Sequence, residues 1–169
     1  MKEFGLPTEN QATPADPPSA PKIVSTSEPH MACVFLIDTS DAMAGWPIDS
    51  VNKGLQRFIA KIAMNEKASR RVDIAVVGFG GGAYIIQDFM PVALTTEPVT
   101  LGAGGAATMG SGAGLAADMM ENRSDLYSNM GIPMYRPWIF MITNSARLTT
   151  SKTLPGVSGK KKTGIFTET

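Results

Sequence analysis

Asp38, Ser40, Thr108 and Asn144 are the residues whose types and placement could do chemistry, and that chemistry is oxygen ligation of a divalent cation. Asp38 closes the apolar run "CVFLID", and Thr39, Ser40 and Asp41 follow at once, with Gly45 shortly after. A hard divalent cation takes several oxygen ligands in a roughly octahedral array. Asp38 and Ser40 are two residues apart, so in an extended turn both side chains point to one side. Thr108 lies in the glycine-rich stretch "GAGGAATMGSG", and Asn144 closes a second apolar run, "PWIFMITN".

The elements that must position these residues follow from periodicity. "CVFLID" has no polar alternation, and a short apolar run of this kind marks a central parallel strand buried on both faces. In "GWPIDSVNKGLQRFIAKIAMNE" the residues Ile48, Val51, Leu55, Phe58, Ile59 and Ile62 recur at helical spacing, which predicts a helix with one inward face. Pro47 suits its first turn. "RVDIAVVGFG" predicts a second strand. Gly80 to Gly82 predict a turn, and "AYIIQDFMPV" predicts an antiparallel third strand at a sheet edge. "TTEPVTLGAGGAATMGSG" has the composition of a loop. "AGLAADMMENRSDLYSNM" predicts a helix with Leu115, Met119 and Leu126 facing in, and "PWIFMITN" a further buried strand. Strands alternating with helices give an α/β layered sheet. Ligands of such sheets bind beyond the carboxyl ends of the strands, where Asp38 and Asn144 both fall.

Residues 1–30 are rich in Pro, Ser, Thr and Ala without periodicity and are expected to form a disordered arm, because such a composition buries too little apolar surface to order itself, or an arm that drapes over the domain. Residues 31–150 hold the domain. Residues 151–169 form an irregular basic tail in which "TGIFTE" makes at most one short strand. The 15 basic and 15 acidic residues balance, so neither nucleic acid nor an anionic membrane surface is an expected partner. No stretch approaches the ~20 apolar residues of a membrane helix. The N-terminus has no apolar signal region, so a cytoplasmic location is expected.

Other features carry less chemistry. The glycine-rich loop lacks the strand directly before it that a dinucleotide fingerprint needs, and "GVSGKKKTG" lacks the ending of a phosphate loop. The single cysteine, Cys33, is expected to be inert core packing. The single histidine, His30, stands in a polar context and is expected at the surface. Met43 and Trp46 flank the candidate site, either as caps on the core or as an apolar contact for a partner.

The stretches "VFLIDTSDAMAGWPIDSVNKGLQ", "DIAVVGFG", "GGAATMGSGAGLA" and "PWIFMITN" together resemble a von Willebrand factor A (VWA) domain. They are most similar to the bacterial cytoplasmic type associated with tellurium resistance. The resemblance implies a Rossmann-like sheet, mostly parallel with one antiparallel edge strand and with helices on both faces. It also implies a metal-ion-dependent adhesion site holding Mg²⁺ or Mn²⁺ and binding an acidic residue of another protein. Asp38 and Ser40 match the first two ligands of that site. The third position is Ala42. The loop threonine's place is taken by Ala107, with Thr108 one position late, and the later aspartate is replaced by Asn144. The site is therefore expected to be degenerate. The C-terminal strands of such a domain are missing or replaced, which leaves an apolar edge strand open to a second copy of the chain. The function implied is non-catalytic protein–protein interaction, as an adaptor or complex subunit with weak or absent metal dependence, in a stress response. The alternatives are a metal-free structural subunit assembling through its open sheet edge and, last, a metal-assisted phosphohydrolase.

Overall fold

The computed structural model describes residues 21–97 and 99–144. Its strands are β1 (Met31–Asp38), β2 (Val72–Phe79), β3 (Ala83–Pro91) and β4 (Trp138–Ile142), and its helices are α1 (Trp46–Ala63), α2 (Glu66–Arg71) and α3 (Met109–Asn129). The sheet order is β3-β2-β1-β4. β1 runs parallel to both β2 and β4, and β2 pairs antiparallel with β3 across the Gly80–Gly82 turn. The expected mixed α/β sheet is thus the observed one, with β3 as the antiparallel edge strand.

Strand periodicity builds two core layers. Val34, Leu36, Ala75, Val77 and Phe79 face α3 and meet Ala116, Met119, Met120 and Tyr127. Cys33, Phe35, Ile37, Ile74 and Val76 face the other way and meet Ile48 and Leu55 of α1. Each fully buried Leu, Ile or Phe contributes roughly 1.5–3 kcal/mol. Because β1 and β2 have a helix on each face, their sequences read as unbroken apolar runs.

α1 follows the predicted face, except that Phe58 is 38% exposed; it packs edge-on against Phe35 and Phe140. The predicted helix splits near its end. Asn65 accepts a hydrogen bond from Ala68 N at 2.9 Å and so starts α2.

α3 departs more. It starts at Met109, four residues before the predicted start, and takes three glycines into its first turns. Its buried face is Gly112, Ala116, Met119, Met120, Arg123, Ser124 and Tyr127, while Leu115 and Leu126 are only half buried. Close approach explains the choice: a Cβ on Gly112 would lie 2.8 Å from Phe79 Cβ and 3.1 Å from Leu36 Cδ1. Glycine lowers helix propensity by about 1 kcal/mol, but here it lets the helix axis sit down on the sheet.

His30 corrects an expectation. It is fully buried. Its Nδ1 lies 3.1 Å from Asp73 Oδ2, and its Nε2 lies 2.7 Å from the Ser25 carbonyl. Polar sequence neighbours suggested the surface, but buried acceptors receive the ring nitrogens. Asp73 Oδ2 also accepts hydrogen bonds from Arg123 Nη2 at 2.9 Å and from the Tyr127 hydroxyl. Arg123 Nη2 also donates to the Lys22 carbonyl at 2.9 Å, and Glu28 pairs with Arg71 at 3.2 Å. Residues 21–30 of the segment expected as an arm thus lie against the domain. Residues 1–20 and the expected tail, 151–169, lie outside the described residues, as do residues 145–150. No helix among the described residues is long and apolar enough to cross a membrane.

Candidate functional site

Asp38 lies at the carboxyl end of β1 and is fully buried, as are Thr39 and Ser40 beside it. Asp38 Oδ1 accepts a hydrogen bond from Ser40 N at 2.9 Å, closing the turn after the strand. Its Oδ2 accepts one from Thr143 Oγ1 at 2.7 Å, just beyond β4. Thr143, which sequence reasoning passed over, is therefore the residue at the exit of β4 that touches the carboxylate. Asn144 instead donates from Nδ2 to the Ala42 carbonyl at 3.4 Å. Only the alternation of side chains along β4 and its exit could have separated the two, because adjacent residues face opposite ways.

The glycine-rich loop is tied to the β1–α1 loop through backbone groups. Gly104 N donates to Thr39 O at 2.7 Å, Asp41 N to Gly105 O at 2.9 Å, and Gly81 N to Ala106 O at 2.8 Å. Asp41 Oδ1 accepts from Gly105 N at 3.0 Å, so this carboxylate is engaged in the loop clasp. A Cβ at Gly80 would stand 2.2 Å from Thr39 O and 2.7 Å from Gly104 O. No other residue fits there without prising the loops apart. Asn52 of α1 holds the loop's entry, accepting from Leu101 N at 2.8 Å and donating to Leu101 O at 3.0 Å. These contacts deliver Thr108 to the start of α3 at the same end of the sheet as Asp38.

Thr108 is the N-cap residue of α3, yet its side chain makes no capping bond. Among the described residues, Thr108 Oγ1 and Ser40 Oγ are buried hydroxyl oxygens without a hydrogen-bond partner. An unpaired buried polar group costs about 1–3 kcal/mol, so each of these hydroxyls calls for a partner such as water or a ligand. These hydroxyls fit a cation's oxygen shell. The charge fits it less well. No group of three His, Cys, Asp or Glu side chains that could hold a metal occurs among the described residues. Asp38 brings a single carboxylate with both oxygens already accepting hydrogen bonds. The donor set suits an ion that keeps several of its waters.

On the rim of this site Met43 is buried and caps the core, whereas Trp46, the first residue of α1, is 80% exposed. Cys33 lies in the core beneath, its thiol pushed up to about 12 by burial and then by the charge of Asp73. Burial, followed by the charge of Asp73, likewise raises the Tyr127 phenol. For Arg123 burial alone would act downward, but Tyr127 and Asp73 beside it outweigh burial and hold the guanidinium above its ordinary value.

A parallel sheet with an antiparallel edge, helices on both faces and a ligand end closed by the β1–α1 and glycine-rich loops define a VWA-like fold. No family model and no curated protein matches the chain. Solved structures do match it. One is the vWF domain of the type V pili tip protein Mfa5 from Porphyromonas gingivalis, 19% identical with a TM-score of 0.55 over 72% of this chain and 39% of that one. Another is the pilus adhesin SpaC from Lactobacillus rhamnosus GG in its open conformation, 12% identical with a TM-score of 0.56 over 70% of this chain and 15% of that one. A third is the PilB minor pilin from Streptococcus sanguinis, 18% identical with a TM-score of 0.51 over 70% of this chain and 30% of that one. The chain spans less than half the length of each. At these identities the likeness is one of fold.

Proposed function

We propose that this chain is a non-catalytic protein-interaction domain, an adaptor or complex subunit, which receives its partner at the carboxyl ends of β1 and β4. The observation that carries the reading is the pair of buried, unpartnered hydroxyls of Ser40 and Thr108 at the end of the sheet where Asp38 is buried. Exposed Trp46 on the same rim supports it, since aromatic residues are enriched in interface cores. The solved domains of like fold, from a pilus tip protein, an adhesin and a minor pilin, agree with binding rather than catalysis. A bound Mg²⁺ or Mn²⁺ would be held by Asp38, Ser40 and Thr108, and would supply a coordination position for an acidic residue of the partner, while Asn144, turned to the Ala42 carbonyl, stands beside that shell. With one carboxylate that dependence is weak or absent.

Calorimetric titration with Mg²⁺ and Mn²⁺, beside an Asp38→Ala control, is expected to show affinity weaker than millimolar. Sub-millimolar binding that the control loses would establish a working metal site instead. Partner capture tests the rest of the reading. A protein bound by the wild-type chain and lost with both Asp38→Ala and Trp46→Ala, identified and then re-bound in purified form, supports the site. Equal capture by all three chains moves the interface elsewhere.

A cytoplasmic place and a stress-response role of the tellurium-resistance kind rest on sequence resemblance, whereas the three solved structures named above are of pilus proteins. Fractionating cells separates these: surface exposure would sink the stress-response reading. No catalytic role is assigned, in line with the sequence resemblance to VWA domains. Phosphoesterase activity abolished by Asp38→Ala would reverse that judgement.

A second reading, a structural subunit assembling through a sheet edge, is favoured by β4. All five of its residues are apolar and half-buried, and among the described residues no strand pairs with its outer side. Light scattering that shows a concentration-independent oligomer, indifferent to chelator, would favour this reading. A monomer would remove it.

A further inference from the structure

We infer that Tyr84, on the edge strand β3, is a positioning residue for the site at the end of β1. Its hydroxyl donates to Thr39 Oγ1 at 2.9 Å. Thr39 is 1% exposed and stands between Asp38 and Ser40, whereas Tyr84 is 43% exposed and could have kept its hydroxyl in water. The phenol reaches Thr39 because Gly78 clears its path. Gly78 is Tyr84's cross-strand partner, and a Cβ there would lie 2.9 Å from Tyr84 Cζ and 3.1 Å from Cε2. An aromatic ring laid over a cross-strand glycine pins register as well as filling space.

The contact acts on the residue that joins the loops. Thr39 holds Gly104 N through its carbonyl, and the next residue, Ser40, closes its turn on Asp38 Oδ1. With its side chain held by Tyr84, the Thr39 rotamer and the turn behind it are set from the sheet's far edge. The direction in which Asp38 and Ser40 are presented is therefore decided by β3 as well as by β1. The significance of this role rests on the proposed reading of the β1 end as the functional site, but the contact itself can be tested without partner or metal.

Amide hydrogen exchange on the full chain is the test. The amides of Ser40, Asp41, Gly104 and Gly105 are all hydrogen-bonded within the site and serve as reporters. In Tyr84→Phe, which keeps the ring, they should exchange about fivefold to tenfold faster, the effect of one hydrogen bond, while amides of Val34 and Val76 stay unchanged. Thr39→Val should reproduce the effect, and the double variant should add nothing to either single one. Thr39→Ser, which keeps the accepting oxygen, should behave as wild type. Unchanged reporters in Tyr84→Phe, additive effects in the double variant, or an equal rise across β1 and β2 would each overturn the inference. Partner capture by Tyr84→Phe is read separately. If the reporters speed up while capture persists, Tyr84 still positions the loop, and the functional reading of the β1 end is what fails.

Discussion

Asp73 Oδ2 receives three donors in a site closed to water: His30 Nδ1, Arg123 Nη2 and the Tyr127 hydroxyl. Removing the cation leaves a buried carboxylate without its main compensation. Arg123→Met is therefore expected to cost about 3–5 kcal/mol, the usual penalty for breaking a buried pair from one side. An unfolding free energy from urea titration lowered by less than a third of that would show the pair to be dispensable. Cys33 bears on pH. Its thiol is held near 12 in the fold against an ordinary value near 9, and Tyr127 is raised in the same direction. A group raised in this way favours its protonated form when folded, so the stability it contributes is complete below the unfolded pKa and is lost as pH climbs through the folded one. The melting temperature should accordingly hold up to about pH 9 and fall between about 9 and 12. At pH 8 Cys33 should resist a thiol reagent until denaturant is added; rapid labelling of the native chain would contradict its burial.

The element that most needs explaining is α3, whose glycine-rich beginning is helical because of what it packs against. Gly112 faces Phe79 and Leu36 at contact distance, whereas a Cβ on Gly114 would meet nothing within 4 Å. The two positions should respond oppositely to the same change. Gly112→Ala must push the helix off the sheet and is expected to destabilise by about 1–3 kcal/mol. Gly114→Ala relieves the entropy of a helical glycine and should stabilise by about 0.5–1 kcal/mol. Thermal melts of the two variants decide the matter, and two shifts of the same sign would mean that α3 is not seated as described.

For the molecule as a whole, the loops at the carboxyl ends of the strands make one unit. The Gly104–Ala106 stretch is bonded to Thr39, Asp41 and Gly81, so a substitution in either loop acts on the same site. Restoring the oxygen ligands with Ala42→Ser, Ala107→Thr and Asn144→Asp together should therefore create Mg²⁺ or Mn²⁺ binding. Ligand at 100 times its dissociation constant adds about 2.7 kcal/mol of stability, which would appear as a metal-dependent rise in melting temperature absent from the wild type and cancelled by Asp38→Ala. No rise would place the ligand positions elsewhere than the sequence resemblance puts them.

The sequence by itself determined the sheet. The unbroken apolar runs of β1 and β2, the Gly80–Gly82 turn before β3 and the periodic face of α1 are local patterns whose burial follows from side-chain period alone. It also put Asp38 at the carboxyl end of β1 with Ser40 just beyond it, because a carboxylate closing a buried strand is visible in one dimension. Only the tertiary structure decided where α3 begins, that His30 is buried, and that Thr143 touches the carboxylate while Asn144 reaches the Ala42 carbonyl. The same holds for Asn52, Asp73, Arg123 and Tyr84, polar side chains whose partners lie between 45 and 50 residues away in at least one of their bonds. The reason is physical: hydrophobic periodicity is a property of neighbours along the chain, whereas the partner of a buried polar group is chosen by which distant segments the packed core brings within hydrogen-bond reach.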